Sequence, residues 1–390
     1  MKIAIVSGDD LPGDDPQQLC AALAARGHEA TAYVRQHAEA STRRDYRIVS
    51  VRVGPRPPAS CDDVLPYAGD WAATLGRVWA SDQPDVVHAY GWLAGLAAQL
   101  AARRQRIPTV QTFMGLAAAC RSATAGGSRH QSERERIEPL LARSATWVTG
   151  ESTADADALA RVRRSRAGVS VLTSGVDVEQ YTPVGPTAAR GDLHRILCLA
   201  PNPLWSNGFD IAIRALPRVV GAELMLAETA ASDRGHDEAR AQLEALATEL
   251  GVAERVRFAG TVADDELPML LRSADVVACV PRQPPRATTV LRAMASGVAV
   301  VALPVGVLTD AVVDAVTGLV LSAERPGELA TTLRSLLAQS FQCQAMGAAG
   351  RSRALSRFTW DRVALDALNI YRQLGPRRSP PNALQSAGTP

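Results

Sequence analysis

The chain has 390 residues but a single lysine, Lys2, within a charge balance of 42 basic and 40 acidic side chains. Any cation inside a binding site must therefore be arginine or histidine, and a Gly-x-x-x-x-Gly-Lys phosphate loop is excluded. Aromatic residues make up only 4%, so Ala, Val and Leu must fill the cores that a 47% hydrophobic content supplies. The net charge of +2 carries no concentrated basic face, which argues against nucleic acid as a partner. The six cysteines, Cys20, Cys61, Cys120, Cys198, Cys279 and Cys343, form no C-x-x-C pair. That spacing argues against zinc and against a disulfide framework, and points to a reduced cytoplasm. No Gly-x-Ser-x-Gly elbow is present. Long apolar runs are missing too: the longest, Gly91–Ala102, falls short of the ~20 residues a bilayer needs and reads as a buried helix. The opening Met1–Val6 reads as a strand and not as a signal peptide.

What is present is an alternation of short β-branched runs with Ala/Leu-rich helical stretches, the pattern of βαβ units on parallel sheets. The strings KIAIVS, EATAYV, PDVVHAY, PTVQTF and WVTG predict strands in the first half. After WVTG, Ser152 and Asp155 fit a capping box. The stretch Thr182–Gly191 has no periodicity and reads as a linker. The pattern then restarts with RILCLA, ELMLAE, RVRFAG, DVVACV and VAVVAL, so the second half is its own doubly wound domain. Two such domains bind ligand between them, at the carboxyl ends of their strands.

Several longer strings carry a joint signal. They are PDVVHAYGWLAGLAAQLAARR and TSGVDVEQYTP in the first half, and ELGVAERVRFAGTVADDELPMLLRSADVVACVP, LRAMASGVAVVALPVG, DAVTGLVL and RFTWDRVALDALNIYRQL in the second. Together they resemble the family-4-like retaining glycosyltransferases of the sucrose-synthase sort. The resemblance spans roughly residues 1–376. It implies an α/β GT-B fold, two Rossmann-like doubly wound domains facing across a cleft. The expected divisions are an acceptor domain at 1–183, a nucleotide-sugar donor domain at 192–358, a helix at 359–376 crossing back, and a disordered tail at 377–390. The implied chemistry is transfer of a hexosyl group from a nucleoside-diphosphate sugar to an acceptor the sequence does not name. Configuration would be retained, without metal or bound cofactor.

The same resemblance marks departures at the donor site. The family's Arg and Lys fall on Asn202 and Asn207, while Gly208 matches its glycine. The family's two glutamates fall on Pro284 and Arg292, and its turn glycine on Ala287. A charged hydrogen bond contributes roughly 1.5–3 kcal/mol against about 1 for a neutral one. Replacement groups lie nearby: Arg282, Arg286 and Arg292, with a helix opening at Thr288–Thr289 whose free amides suit phosphate. The turn through Gly260 and Val262 is the expected surface for the base. On the acceptor side the glycine-rich loop is reduced to Gly13 among Asp9, Asp10, Asp14 and Asp15. Met114 stands where the family has a histidine, while His88 and Tyr90 end a strand. His88 and Arg292 are the catalytic candidates. Two readings stay open: a glycosyltransferase with a divergent donor mode, and an inactive glycosyltransferase-like protein that binds an active paralogue or a sugar nucleotide.

Overall fold

A computed structural model describes residues 1–8, 15–35, 42–43, 46–56, 60–117, 129–230, 234–322 and 326–374. Gly13, Cys120 and the tail at 377–390 lie outside the described residues.

The first half contains β1 (Lys2–Ser7), α1 (Asp15–Ala25), β2 (Glu29–Arg35), β3 (Thr42–Arg43), β4 (Tyr46–Val51), α2 (Cys61–Val64), α3 (Ala68–Ser81) and β5 (Val86–Tyr90). It continues through α4 (Trp92–Gln105), β6 (Thr109–Phe113), α5 (Arg129–Ser144), β7 (Trp147–Gly150), α6 (Thr153–Arg163) and β8 (Val169–Val171). Its sheet runs β3-β4-β2-β1-β5-β6-β7-β8, parallel except for the β3 edge. Strand order reverses between β1 and β5, so the crevice lies beyond Ser7 and Tyr90. The apolar run at 91–102 becomes α4, largely buried against this sheet. Among the described residues no helix is long and apolar enough to cross a membrane. Ser152 caps α6 by accepting from the Asp155 amide, and the Asp155 carboxylate accepts from the Ser152 amide, a complete capping box.

The second half contains β9 (His194–Ala200), α7 (Phe209–Ala215), β10 (Ala222–Glu228), α8 (Arg234–Glu249), β11 (Val256–Thr261), α9 (Leu267–Arg272) and β12 (Val276–Cys279). Then follow α10 (Thr288–Ala295), β13 (Ala299–Ala302), α11 (Leu308–Ala311), β14 (Gly318–Val320), α12 (Pro326–Leu337), α13 (Ser340–Arg357) and α14 (Trp360–Leu374). The sheet order β11-β10-β9-β12-β13-β14 reverses between β9 and β12.

Residues 182–191 form no helix or strand, yet they are pinned to the second domain. Arg272 donates to the Pro186 carbonyl at 2.7 Å, and Ala188 donates to that of Met269 at 3.0 Å. Helix α14 presents Val363, Ala364, Ala367, Leu368 and Tyr371 at helical spacing to a core shared with Ile3, Ile5 and Leu19. It therefore packs on the first domain, with Arg26 paired to Asp361 at 2.6 Å. Gly175 explains how the chain passes this junction: a Cβ there would meet the Trp360 ring at 2.5 Å.

Candidate active site

The two switch points face each other, and a cavity of about 300 Å³ opens at the carboxyl ends of β9 and β12. Asn207, Arg286, Thr288, Thr289 and Arg292 line it from the second domain, and Asp15 lines it from the first. Helix α10 points its start at this space. Its N-cap, Ala287, offers no side-chain cap, and the first intrahelical bond runs from the Leu291 amide to the Ala287 carbonyl. The amides of Thr288, Thr289 and Val290 thus have no acceptor within the helix, an arrangement that attracts anions.

The arginines differ in what they already hold. Arg282 forms a two-pronged pair with Asp210 at 2.6 and 2.8 Å and lies 4.5 Å over the Trp205 ring. It is a brace for the loop before α7 and does not line the cavity. Arg292 sits 5.1 Å over the Tyr181 ring and, among the described residues, has one loose ion pair, 3.5 Å, with the exposed Asp264. Its charge is available to the cavity. Arg286 crosses to the first domain instead: it pairs with Asp15 and lies 3.5 Å from Glu151.

The two asparagines standing in for the family's cations bond to each other. Asn207 donates to the Asn202 side-chain oxygen at 2.6 Å and to its carbonyl at 3.0 Å. Only Asn207 reaches the cavity wall. Gly208 has φ +76°, and a Cβ there would collide with the Val280 carbonyl oxygen at the end of β12. Glycine is therefore what lets this loop close on the switch point. The turn through Gly260 and Val262 lies one step outside the cavity. Val262 donates its amide to Glu228 at 2.9 Å, and Thr261 donates its hydroxyl to Ala230, a cavity residue.

On the first-domain side, Tyr90 and Met114 surround a second space of about 10 Å³, barely one water in size, together with Asp15, Glu151 and Ser174. His88, one of the two catalytic candidates, does not line the cavity. It is fully buried, with one ring nitrogen 2.6 Å from the Tyr371 hydroxyl and the other 2.6 Å from that of Thr112. Burial pushes its pKa down to about 3, so the ring is neutral. The physical reason is strand alternation. In β5, His88 shares a face with Val86 and Tyr90, and that face is covered by α14.

Sequence reasoning missed a buried charged cluster. The Ser174 hydroxyl lies within hydrogen-bond reach of both Asp15 and Glu151, 2.7 Å from the latter, while Arg286 closes the group from the other domain. Glu151 follows the end of β7 directly, and an acid just beyond a strand's carboxyl end was the one signal available. Burial pushes its carboxyl up, and Arg286 partly opposes that.

Comparison with known proteins places this architecture. The description "Glycosyl transferase 4-like domain" matches residues 13–175, and "Glycosyl transferases group 1" matches residues 205–353. A D-inositol 3-phosphate glycosyltransferase of Xylanimonas cellulosilytica is 30% identical over 382 residues, spanning 93% of this chain and 91% of that protein. One from Salinispora tropica is 30% identical over 316 residues, covering 75% of this chain and 65% of that protein's length. The solved sucrose-phosphate synthase from Thermosynechococcus elongatus shares the fold, with a TM-score of 0.83 at 22% identity over 96% of this chain and 99% of that one. With both domains matched in order and the two switch points opposed, the chain belongs to the group 1, family-4-like glycosyltransferases of GT-B fold, whose donors are nucleotide sugars.

Proposed function

We propose that this chain transfers a hexosyl group from a nucleoside-diphosphate sugar, with configuration retained, using a donor site in which a helix end and Arg292 replace the family's Arg–Lys pair. One observation carries the reading. The uncapped start of α10, the hydroxyls of Thr288 and Thr289, and Arg292 all border one cavity where the strand order reverses. Negative charge grows on the diphosphate as the glycosidic bond breaks, so amide dipoles and a guanidinium fixed there lower the barrier. The base would lie toward Gly260 and Val262, and the acceptor would enter from the side of Tyr90 and Met114.

A second reading, binding without turnover, is favoured by a different observation. Arg286 is occupied by Asp15 and Glu151, and Asn202 and Asn207 are occupied by each other. In that case an active paralogue is the natural partner.

Calorimetric titration with uridine, guanosine and adenosine diphosphates and their sugar esters tests the first reading. Micromolar binding is expected for at least one. Arg292→Ala should weaken it about 10- to 100-fold, the loss of one charged hydrogen bond. Absence of binding by every nucleotide would overturn the reading. Binding with no release of free nucleoside diphosphate from the sugar ester over hours would select the second one.

A further inference from the structure

Asp15, Glu151 and Arg286 belong to the site just described, but their arrangement does more than line it. Asp15 begins α1, Glu151 follows β7, and Arg286 comes from the loop between β12 and α10. Asp15 and Glu151 are buried, 5% and 3% exposed, and the Arg286 side chain is 15% exposed. Ser174 ties the two carboxylates together by bonding to both. Three first-domain groups thus grip one second-domain guanidinium beside the space where an anion would sit.

Charge decides what this grip does. Two buried carboxyl groups face one guanidinium here, so acids outnumber the cation. Buried charges are screened little by salt, so an anion entering beside them feels the excess negative charge. A guanidinium held by two carboxylates also has less to offer a phosphate. Removing the guanidinium from both would strand buried acids, which is costly.

We propose that Asp15 and Glu151 act as gating residues: in the empty protein they hold Arg286 across the cleft, and an incoming diphosphate competes with them for that guanidinium. The inference rests on the diphosphate reading of the cavity. It makes the first domain a brake on donor binding, released when Arg286 changes partner. A structural role alone predicts that weakening the cluster weakens ligand binding, whereas a gate predicts the reverse.

The test is titration of the full-length chain with uridine, guanosine and adenosine diphosphates in three backgrounds: wild type, Glu151→Gln and Asp15→Asn. Glu151→Gln keeps the shape and can still accept from Ser174, so it guards against a variant that simply fails to fold. Each neutralised acid should tighten the best diphosphate about tenfold. In an Arg286→Gln background the same changes should bring less than half that gain on a logarithmic scale, because the competed group is gone. Unchanged or weaker affinity in folded Glu151→Gln and Asp15→Asn overturns the gate while leaving the diphosphate site intact. No binding by any chain, wild type included, removes the diphosphate reading and the gate with it.

Discussion

Replacing His88 with alanine should destabilise the protein by about 3–5 kcal/mol, read as a large drop in melting temperature of the first domain. Two costs combine. The deleted ring leaves a hole in a core where exposure is 0%. The Tyr371 and Thr112 hydroxyls also lose their shared partner, although Thr112 keeps Thr149 at 2.6 Å. Because Tyr371 sits on α14, the same change loosens the helix that fastens the end of the chain to the first domain. The pH dependence has a defined sign. The unfolded ring takes up a proton near pH 6.5, whereas the folded one resists until about pH 3. Between those values the unfolded state binds more protons, so stability falls as pH falls, by up to about 5 kcal/mol across the window. In His88→Gln the slope of stability against pH between 6 and 4 should flatten. An unaltered slope would show that His88 is not the group responsible.

Gly208→Ala should cost about 2–4 kcal/mol and also abolish nucleotide binding. The left-handed φ of +76° disfavours any side chain, and the added methyl would strike backbone, the Val280 carbonyl, which cannot rotate away. The loop before α7 and the end of β12 would have to separate. Asn207, Phe209 and Val280 all line the cavity, so its wall moves with them. Gly221→Ala serves as the comparison, since its φ is also positive, +77°, but nothing lies within 4 Å of its Cβ. Equal melting temperatures for the two variants would show that contact with Val280 does not matter.

The contrast between His88 and Arg292 shows what was legible in the sequence. Strands such as KIAIVS and DVVACV are continuous apolar runs, and the Ser152 cap and the α14 stripe are local patterns, so each can be read directly. β4, with Arg47 and Ser50 among its apolar residues, and β14, three residues long, give no such signal. Asn207 and Arg292 were legible as cavity residues from the family resemblance, and Thr288 and Thr289 from the start of a helix. The partners that decide a side chain's chemistry were not. His88 is closed off by Tyr371, 283 residues away, and Arg286 by Asp15, 271 residues away. Composition and spacing place a guanidinium near a cleft, but only the packed chain shows which carboxylates reach it first.

The open start of α10 is where a diphosphate is expected to bind. Amide chemical-shift mapping of the labelled protein during titration with the tightest-binding nucleoside diphosphate tests it most directly. Saturable shifts are expected at the backbone amides of Thr288, Thr289 and Val290, together with the side chain of Arg292. Saturation of the protein with those signals unmoved would place the ligand elsewhere and contradict it.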